Sequence, residues 1–338
     1  MAKEYNVAIM GATGAVGKTM LGILEERDFP VKDIKLLASE RSKGKKIKFK
    51  GQEHEVEVLS PDSFKGVDIV LASAGGSRSK EFAKYIVDSG AVMIDNSSAF
   101  RMEDDVPLVV PEINPEDVKL HKGIIANPNC STIIMDVPLK PIHDAAKIKR
   151  LVVSTYQAAS GAGAKAMEEL QQQAKDFAAG KELKVENFQY QLLFNVIPHI
   201  DVFFEDGQAK EEVKMINETK KIMHEPDMKV TATCVRAPVF TSHAEAINIE
   251  TEKKLTAGEV RELLSKAPGV KIEDDIHEKK YPMPLFTTGS DDVFVGRIRE
   301  DFSVNNGINM FVCADQLRKG AATNAVQIAE VLIKEGMK

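Results

Sequence analysis

The sequence has no tryptophan, and aromatic residues make up only 6% of its 338 residues. It contains three cysteines, Cys130, Cys234 and Cys313, which are widely spaced and form no C-x-x-C pair. This odd, scattered set argues against a disulfide framework or a zinc site and favours a reducing compartment. No apolar run approaches the roughly 20 residues that span a bilayer, and no secretory pattern is visible. We therefore expect a cytoplasmic protein with no metal site and no membrane contact.

Positive charge is also scarce. The chain has 45 Lys and Arg against 51 Asp and Glu, a formal net charge of −6, and no basic block long enough to follow a phosphate backbone. Nucleic acid is therefore not an expected partner. The hydrophobic content of 43% is that of a globular protein, and the length suggests two domains, each with its own core.

The first part of the chain alternates short apolar runs with helical patterns. The predicted strands cover residues 5–10, 34–38, 67–72, 91–95 and 123–126, the predicted helices cover 15–27 and 79–89, and a hairpin is predicted over 46–59. Buried strands separated by helices form βαβ units. We therefore predict an α/β, Rossmann-like, doubly wound parallel sheet.

The pattern changes near residue 130. Longer, more alternating strands are predicted at 148–156, 229–237, 244–251, 292–299 and 308–314, with helices at 163–180, 209–224 and 256–267. This predicts an α+β domain on a largely antiparallel sheet. A final amphipathic helix is predicted over 318–335.

A glycine loop follows the first predicted strand. Gly11, Gly14 and Gly17 have the spacing G-x-x-G-x-x-G and lead into a helix. Glycines allow a tight turn and close backbone approach, so that amides at the helix N-terminus can face a pyrophosphate. The alternative is a strand-to-helix turn without a ligand.

The second predicted strand ends in a basic loop that contains Glu40, Arg41, Ser42 and Lys43. Cationic and hydroxyl groups here suit the 2′-phosphate of NADP, whereas a carboxylate such as Glu40 leaves NAD possible. We favour NADP, the alternative being a solvated loop.

Cys130 follows the strand at 123–126 and precedes a predicted helix over 133–145, which Pro138 and Pro141 are expected to start, break or kink. The positive end of a helix favours a thiolate, and a thiolate could attack an aldehyde or an acyl phosphate. Cys234 and Cys313 lie among apolar residues of predicted strands and fit a core role.

His243 is the best-placed candidate base. Residues 234–243 suggest a strand, a bend and a strand, and such a hairpin would bring Arg236 and His243 to one end of the sheet. A histidine with a near-neutral pKa can take a proton from a thiol and return it. The alternative is a histidine on the surface or in a satisfied core position.

Together these motifs resemble the aspartate-β-semialdehyde dehydrogenase family over essentially the full chain. The matching segments are residues 11–17, 39–45, 95–101, 127–132, 156–163 and 211–215, and Arg236 followed by His243.

The resemblance implies NADPH-dependent reduction of L-aspartyl-4-phosphate to L-aspartate-4-semialdehyde, with release of phosphate, in lysine, methionine and threonine biosynthesis. It implies that Cys130 forms the thioester, that His243 is the general acid/base, and that Gln157 orients the substrate. The implied substrate-binding residues are Arg236 for the α-carboxylate, Glu212 rather than Glu211 for the ammonium group, and Arg101 and Lys214 for the phosphate, with Asn129 nearby. The implied NADP-binding residues are Gly11, Thr13, Gly14, Ala15, Val16, Gly17, Ser39, Arg41, Ser42, Ser160, Gly161 and Gln316.

The resemblance also implies a domain organisation and an oligomeric state. Residues 1–129, completed by the C-terminal helix 318–338, would form the NADP-binding domain. Residues 130–317 would form the catalytic and dimerisation domain of a homodimer.

Other functions remain open. N-acetyl-γ-glutamyl-phosphate reductase and glyceraldehyde-3-phosphate dehydrogenase have a similar layout, but the first has a substrate without an ammonium group and the second typically has Ser-Cys-Thr-Thr-Asn. Reduction of a short acyl-CoA is a further alternative. In a protein that binds NADP without chemistry, Cys130, Gln157 and His243 would have no joint purpose.

Overall fold

The computed structural model describes residues 3–337. The chain divides into two compact units. The first unit extends to Asn129 and resumes from Ala321, and the second unit is Cys130–Gly320.

The first unit contains a seven-stranded sheet in the order β3-β4-β2-β1-β5-β6-β7. Its elements are β1 (Tyr5–Met10), α1 (Ala15–Glu26), β2 (Val31–Ala38), β3 (Lys46–Phe49), β4 (Gln52–Val58), β5 (Ile69–Ala72), α2 (Gly76–Asp88), β6 (Val92–Asp95) and β7 (Ile124–Ala126). Only β3 and β4 pair antiparallel, as the predicted hairpin. The other neighbours are parallel, which confirms the doubly wound sheet.

The second unit contains a six-stranded sheet in the order β11-β12-β13-β10-β8-β9. Its elements are α3 (Cys130–Ala146), β8 (Ile148–Gln157), α4 (Ala164–Ala178), α5 (Lys210–Ile222), β9 (Lys229–Arg236), β10 (His243–Thr251), α6 (Ala257–Ser265), β11 (Val270–Ile272), α7 (Pro284–Thr287), β12 (Val293–Asp301) and β13 (Gly307–Ala314). Three of the pairings are antiparallel and two, β8 with β9 and β11 with β12, are parallel. The predicted, largely antiparallel α+β fold is confirmed. β11 and α7 were not predicted, because segments of three and four residues are too short to show a period.

The chain ends in α8 (Asn324–Lys334). The prediction of one amphipathic helix over 318–335 is correct only for this part, because residues Arg318–Thr323 form a π-helical turn. Hydrogen-bond spacing of this kind leaves no trace in hydrophobic periodicity, and it is frequent at functional sites.

The sheet of the first unit is buried on both faces. Val7 and Ile9 join a core cluster that includes side chains of α1 and α8, whereas Ala8 and Met10 join a cluster with side chains of α2. Alternate residues of β1 thus face opposite helix layers. This double burial explains why the strands are continuous apolar runs.

Helix α3 runs without interruption through Pro138 and Pro141, so the prediction that these prolines start or break the helix is wrong. Each proline removes one backbone donor from the helix. Most side chains of α3 are buried, and the helix packs on β8, β10, β12 and β13. Tertiary packing therefore outweighs the local cost of the prolines.

The two faces of the second sheet differ. Along β8, Leu151, Val153 and Thr155 are buried toward the helices, whereas Val152 is half-buried and Tyr156 is exposed on the other face. This alternation is typical of a sheet with one packed face. Among residues 3–337, no helix is both long enough and apolar enough to cross a bilayer.

Candidate active site

The glycine loop of the first unit leaves no room for side chains at two of its positions. Gly11 has φ +94°, and a Cβ atom there would lie 2.5 Å from the carbonyl oxygen of Ser73. A Cβ atom on Gly17 would lie 2.3 Å from the carbonyl oxygen of Gly11. Gly14 is the N-cap of α1, and no side chain caps this helix end. The loop therefore presents the N-terminus of α1 in the way that a phosphate-binding turn requires.

A cleft of about 610 Å³ lies beside this loop. Its lining residues are Gly11, Thr13, Gly14, Ala38, Ser39, Glu40, Arg41, Val58, Leu59, Ser73, Ala74, Arg78 and Phe82. Ser42 does not line the cleft but is buried, with its hydroxyl 3.2 Å from that of Thr13. Sequence reasoning missed Arg78, although the sequence shows this basic residue directly before the helix predicted over 79–89.

Glu40 and Arg41, the two charged residues considered as contacts for the cofactor ribose and its 2′-phosphate, are both exposed at this cleft. Glu40 and Arg41 lie in one helical turn, and the carboxylate of Glu40 is 3.6 Å from the ammonium group of Lys43. The cleft thus offers a cation to a 2′-phosphate, and the carboxylate of Glu40 already has a cationic neighbour.

Cys130 is the first residue of α3 and is partly exposed. The other two cysteines are buried, and burial raises the pKa of Cys313 to about 12 and also raises the pKa of Cys234. Only Cys130 is therefore both accessible and at the positive end of a helix. A Cβ atom on Gly320, in the π-helical turn, would lie 3.0 Å from Cβ of Cys130.

The predicted hairpin between Arg236 and His243 is wrong. Strand β8 lies between β9 and β10, and neither of these two strands pairs with the other. Gln157 at the end of β8 is in register with Arg236, and Tyr156 is in register with Ala244. Three polar side chains from three strands therefore meet at one end of the sheet, with Gln157 between the other two.

The backbone of Ala158 contacts both Arg236 and His243 at this end. Its N–H donates to Nδ1 of His243 at 3.0 Å, and its carbonyl oxygen accepts from Nη1 of Arg236 at 2.6 Å. A Cβ atom on Gly161 would lie 3.0 Å from both Nη1 of Arg236 and Nε2 of His243. A side chain at Gly161 would therefore crowd both groups.

His243 is fully buried, and this corrects the expectation of a near-neutral pKa. Burial, and then the charge of Arg236, lowers the pKa of His243 to about 3, although Glu211 acts in the opposite direction. Burial also lowers the pKa of Arg236, against the charges of Glu211 and Cys130. Arginine stays charged under such conditions, and histidine becomes neutral.

Helix α5 places Glu211, rather than Glu212, in this cluster. Glu211 is buried and accepts from Nε2 of Gln157 at 3.1 Å and from Nζ of Lys214 at 3.1 Å. Glu212 instead accepts from the backbone N–H groups of Ala209 at 2.7 Å and Cys234 at 3.0 Å. The geometry thus favours the glutamate that the sequence-based assignment ranked second.

Lys214 is held between two carboxylates, with Nζ 3.0 Å from Asp201 and 3.1 Å from Glu211. Burial disfavours its charge, but Glu211 and Asp201 raise the pKa of Lys214 above its ordinary value. The ammonium group is therefore charged at neutral pH.

Arg101 and Asn129 belong to the first unit and are both buried. Nε of Arg101 donates to the carbonyl oxygen of Asn127 at 3.0 Å, and Nη2 donates to that of Asn96 at 3.0 Å. The side chain of Asn127 is itself held by Asn96 and Asn324. These bonds fix the guanidinium beside the strand end that precedes Asn129.

Gln316 and Ser160 contact each other in the second unit. Nε2 of Gln316 donates to the hydroxyl of Ser160, and its Oε1 accepts from the backbone N–H of Ser242 at 2.8 Å. Two of the predicted cofactor residues are thus linked to the residue that precedes His243.

Two family models match the chain. One, described as semialdehyde dehydrogenase, NAD binding domain, matches residues 6–121, and the other, described as semialdehyde dehydrogenase, dimerisation domain, matches residues 139–319.

Relatives align over almost the whole chain. The aspartate-semialdehyde dehydrogenase of Aquifex aeolicus is 61% identical over 98% of this chain and 99% of the relative. A crystal structure of aspartate semialdehyde dehydrogenase II from Vibrio cholerae, complexed with ASA, is 47% identical with a TM-score of 0.97, over 99% of this chain and 100% of that one. The structure of the Candida albicans enzyme with NADP is 26% identical with a TM-score of 0.75, over 98% and 99%. With a nucleotide-binding domain, a thiol at a helix start and full-length matches at this identity, the chain belongs to the aspartate-semialdehyde dehydrogenase family, as its motifs predicted.

Proposed function

We propose that the chain catalyses NADPH-dependent reductive dephosphorylation of L-aspartyl-4-phosphate to L-aspartate-4-semialdehyde through a thioester on Cys130. The observation that carries the proposal is the grouping of Cys130, Arg236 and His243 at the end of the second sheet. Arg236 interacts electrostatically with Cys130, and the same guanidinium shares the backbone of Ala158 with His243. A nucleophile, a cation and an imidazole thus lie within one small volume of the second unit, as acyl transfer requires.

The substrate carries a carboxylate, an ammonium group and a phosphate. Arg236 suits the carboxylate because its guanidinium can form two parallel hydrogen bonds. Glu211 suits the ammonium group because it is buried and close to Gln157, with Glu212 as the alternative. Arg101, Lys214 and Asn129 are assigned to the phosphate. The Vibrio cholerae relative is described as complexed with ASA, which supports a substrate of this size and charge.

Gln157 is proposed to orient the substrate. Its Oε1 accepts from the hydroxyl of Thr155 at 3.2 Å, and its Nε2 donates to Glu211 at 3.1 Å. Both ends of the amide are therefore held, which fixes the side chain beside the proposed ammonium site. Cys130 is proposed as the nucleophile, and His243 is proposed as the general acid/base.

NADP is proposed as the cofactor, and the first unit fits it. The cramped positions of Gly11 and Gly17 show a turn built for backbone approach, and Arg41 and Arg78 supply cations at the cleft. The proposed contacts are Gly11, Thr13, Gly14, Ala15, Val16, Gly17, Ser39, Arg41 and Ser42 in the first unit, and Ser160, Gly161 and Gln316 in the second. When bound, NADPH supplies the hydride. The Candida albicans relative is described as bound to NADP.

We also propose a cytoplasmic homodimer in lysine, methionine and threonine biosynthesis, with residues 1–129 and the C-terminal helix binding NADP and residues 130–317 providing catalysis and dimerisation. A dimerisation-domain match over 139–319 supports the second copy. The open face of the second sheet carries Tyr156 and Phe311, whose ring centroids are 6.3 Å apart. Tyr190 and Phe194 are each 70% exposed. Exposed aromatic side chains of this kind are typical of interfaces, and sedimentation over a range of concentrations tests the assembly.

The proposed reaction is tested in reverse. The protein is mixed with L-aspartate semialdehyde and NADP, with and without inorganic phosphate, and NADPH formation is followed by absorbance. We expect a phosphate-dependent signal that falls by about 10⁴-fold or more in Cys130→Ala. Cys313→Ala serves as the matched control, because this thiol is buried and should not be needed.

A signal that persists in Cys130→Ala would contradict the thioester. Absence of a signal from folded wild-type protein would contradict the substrate and direct the assay to N-acetylated glutamate semialdehyde and to coenzyme A as acceptor. Repeating the assay with NAD measures the cofactor preference.

A further inference from the structure

The segment of residues 315–320, which follows β13, packs against the residue that carries the candidate nucleophile. A Cβ atom on Gly320 would lie 3.0 Å from Cβ of Cys130 and 3.3 Å from Cβ of Gln316. Carbon atoms in normal contact are about 3.5–4.0 Å apart. The backbone of Gly320 therefore lies directly against Cys130, and any side chain at this position would push one of its two neighbours away.

The same segment supports Ser242, the residue before His243. Ser242 is fully buried and has φ +72°, in the left-handed region that residues other than glycine rarely adopt. Its backbone N–H donates to Oε1 of Gln316 at 2.8 Å. Its hydroxyl donates to Oγ1 of Thr288 at 2.9 Å, because the Thr288 hydroxyl proton is already donated to the carbonyl oxygen of Pro284. A conformation of this kind persists only where the surroundings hold it, so these bonds fix the backbone from which the imidazole extends.

Two aspartates hold the 315–320 segment in place. Oδ2 of Asp315 accepts from the backbone N–H of Gly289 at 2.8 Å. Asp291 accepts two bonds from Arg318, with Nε 2.9 Å from Oδ1 and Nη2 3.0 Å from Oδ2. A two-point pair of this kind fixes orientation as well as distance. The loop that follows α7 therefore anchors the segment at two points.

We propose that the 315–320 segment is a common support that positions Cys130 and His243 relative to each other, and that Asp291 is a positioning residue that acts through it. The inference rests on the proposed function, which gives the two side chains their roles as nucleophile and general acid/base. They begin α3 and β10, two elements that are distant in sequence. A misplacement of about 1 Å between reacting groups can cost about 10²-fold in rate, so one segment that contacts both elements has a direct effect on catalysis.

Gly320→Ala tests the contact with the thiol-bearing residue. We expect alkylation of Cys130 by iodoacetamide near neutral pH, followed by mass spectrometry, to slow by about 2–10-fold, because a displaced thiolate loses part of the stabilisation at the positive end of α3. Gly258→Ala in α6 is the matched control, since the atom nearest to its Cβ would be the hydroxyl oxygen of Thr256 at 3.8 Å. Equal alkylation rates in the two variants would contradict the contact.

Asp291→Ala tests the action through the segment and adds no atom beside the thiol, so it separates displacement from shielding. We expect the same slowing of Cys130 alkylation, about 2–10-fold. In the reverse assay, kcat should fall about tenfold, whereas KM for L-aspartate semialdehyde should stay within about twofold, because the substrate-binding side chains are unchanged. Asp291→Asn keeps an acceptor oxygen and should lie between Asp291→Ala and the wild type.

Glu330→Ala is the matched control for this variant. Glu330 forms an equally two-pointed pair with Arg27, at 2.7 Å for both bonds, and its side chain is 31% exposed, against 33% for Asp291. Its loss should leave alkylation and kcat at the wild-type level.

Thr288→Val separates the two contacts of the segment. It removes the acceptor of the Ser242 hydroxyl and keeps the volume of the side chain. We expect kcat to fall about 2–10-fold, as for the loss of one neutral hydrogen bond, while Cys130 alkylation keeps its wild-type rate. An unchanged kcat would contradict the support of His243 through Ser242.

Two outcomes are decisive, once circular dichroism melting has verified that each variant is folded. Alkylation rates and kcat values that are the same in Asp291→Ala as in Glu330→Ala would overturn the proposal, and Asp291→Asn provides the same comparison if the alanine variant does not fold. If the wild type gives no phosphate-dependent signal, the proposed function fails. The alkylation comparison needs no substrate, so it still decides whether the segment positions Cys130.

Discussion

The two units build their candidate sites in different ways. In the first unit the site is a contiguous loop, residues 11–17, in which backbone geometry does the binding. In the second unit the site is assembled from side chains on α3, α5, β8, β9 and β10, which lie far apart in sequence. A local site can be recognised from a spacing pattern, whereas a dispersed site can be recognised only by its residue types.

The difference also determines how each site can be damaged. The glycine loop cannot accept a methyl group at Gly11 or Gly17, because backbone carbonyl oxygens already lie where the Cβ atom would be. A side-chain site tolerates small changes of volume but depends on donor geometry, as the contacts of Arg236 and His243 with Ala158 show. The following variants test this contrast.

Among the variants that test this contrast, Arg236→Lys should give the largest effect, because it keeps the charge but loses the planar guanidinium. The bond to Ala158 and a two-point bond to substrate are charge-assisted, each worth about 1.5–3 kcal/mol. We expect kcat/KM in the reverse assay to fall about 10²–10³-fold. Arg261→Lys is the matched control, because Nη2 of Arg261 also donates to a backbone carbonyl at 2.6 Å, that of Ile298. Near-wild-type kinetics in Arg236→Lys would remove this residue from the carboxylate role.

Gly17→Ala should damage the first unit through packing. Its Cβ atom would lie 2.3 Å from the oxygen of Gly11, and overpacking of this kind costs about 1–3 kcal/mol. Gly22→Ala in the same helix is the control, since its nearest atom is the carboxylate of Glu26 at 3.9 Å. That substitution should stabilise α1 by about 0.5–1 kcal/mol. Urea unfolding and NADP titration measure both effects, and equal stabilities of the two variants would refute the steric argument.

Glu245→Gln should have the smallest effect on activity, and its effect on stability should depend on pH. Both carboxylate oxygens of Glu245 are buried without a partner among the described residues, and burial raises the pKa of Glu245 well above its ordinary value. The folded state thus keeps a proton that the unfolded chain loses above about pH 4.3. Stability should therefore decrease as pH rises, by up to about 1.4 kcal/mol per pH unit from this group.

The Gln variant does not titrate, so its unfolding free energy should fall less steeply between pH 5 and 7, as measured by urea unfolding at several pH values. Glu250→Gln on the same strand is the control, because Glu250 is partly exposed and pairs with Lys149 at 3.3 Å. An unchanged slope in Glu245→Gln would show that Glu245 is ionised in the folded protein.

Much of the fold followed from hydrophobic periodicity. The strands of the first unit are apolar on both faces, and their alternation with helices was enough to predict a parallel sheet. The insertion of β8 between β9 and β10 was not predictable, because strand pairing is decided by packing between distant segments. The local sequence between Arg236 and His243 does not indicate whether the two flanking strands pair with each other or are separated by a third strand.

In the candidate site, too, local features were predictable and contacts between distant segments were not. Cys130 at a helix start was predicted from residues on either side, and α3 begins at that residue. The choice between Glu211 and Glu212 was not predictable, because it depends on which side chain of α5 reaches Gln157 and which one reaches the backbone of β9.

The sequence by itself determined what is local: the glycine turn, the position of the thiol, the periods of strands and helices, and the full-length resemblance to one family. Only the tertiary structure decided the burial of His243, the shared anchor at Ala158, and the partners of Glu211. The physical reason is that desolvation and hydrogen-bond direction depend on atoms brought from distant parts of the chain, and a residue type alone does not specify them.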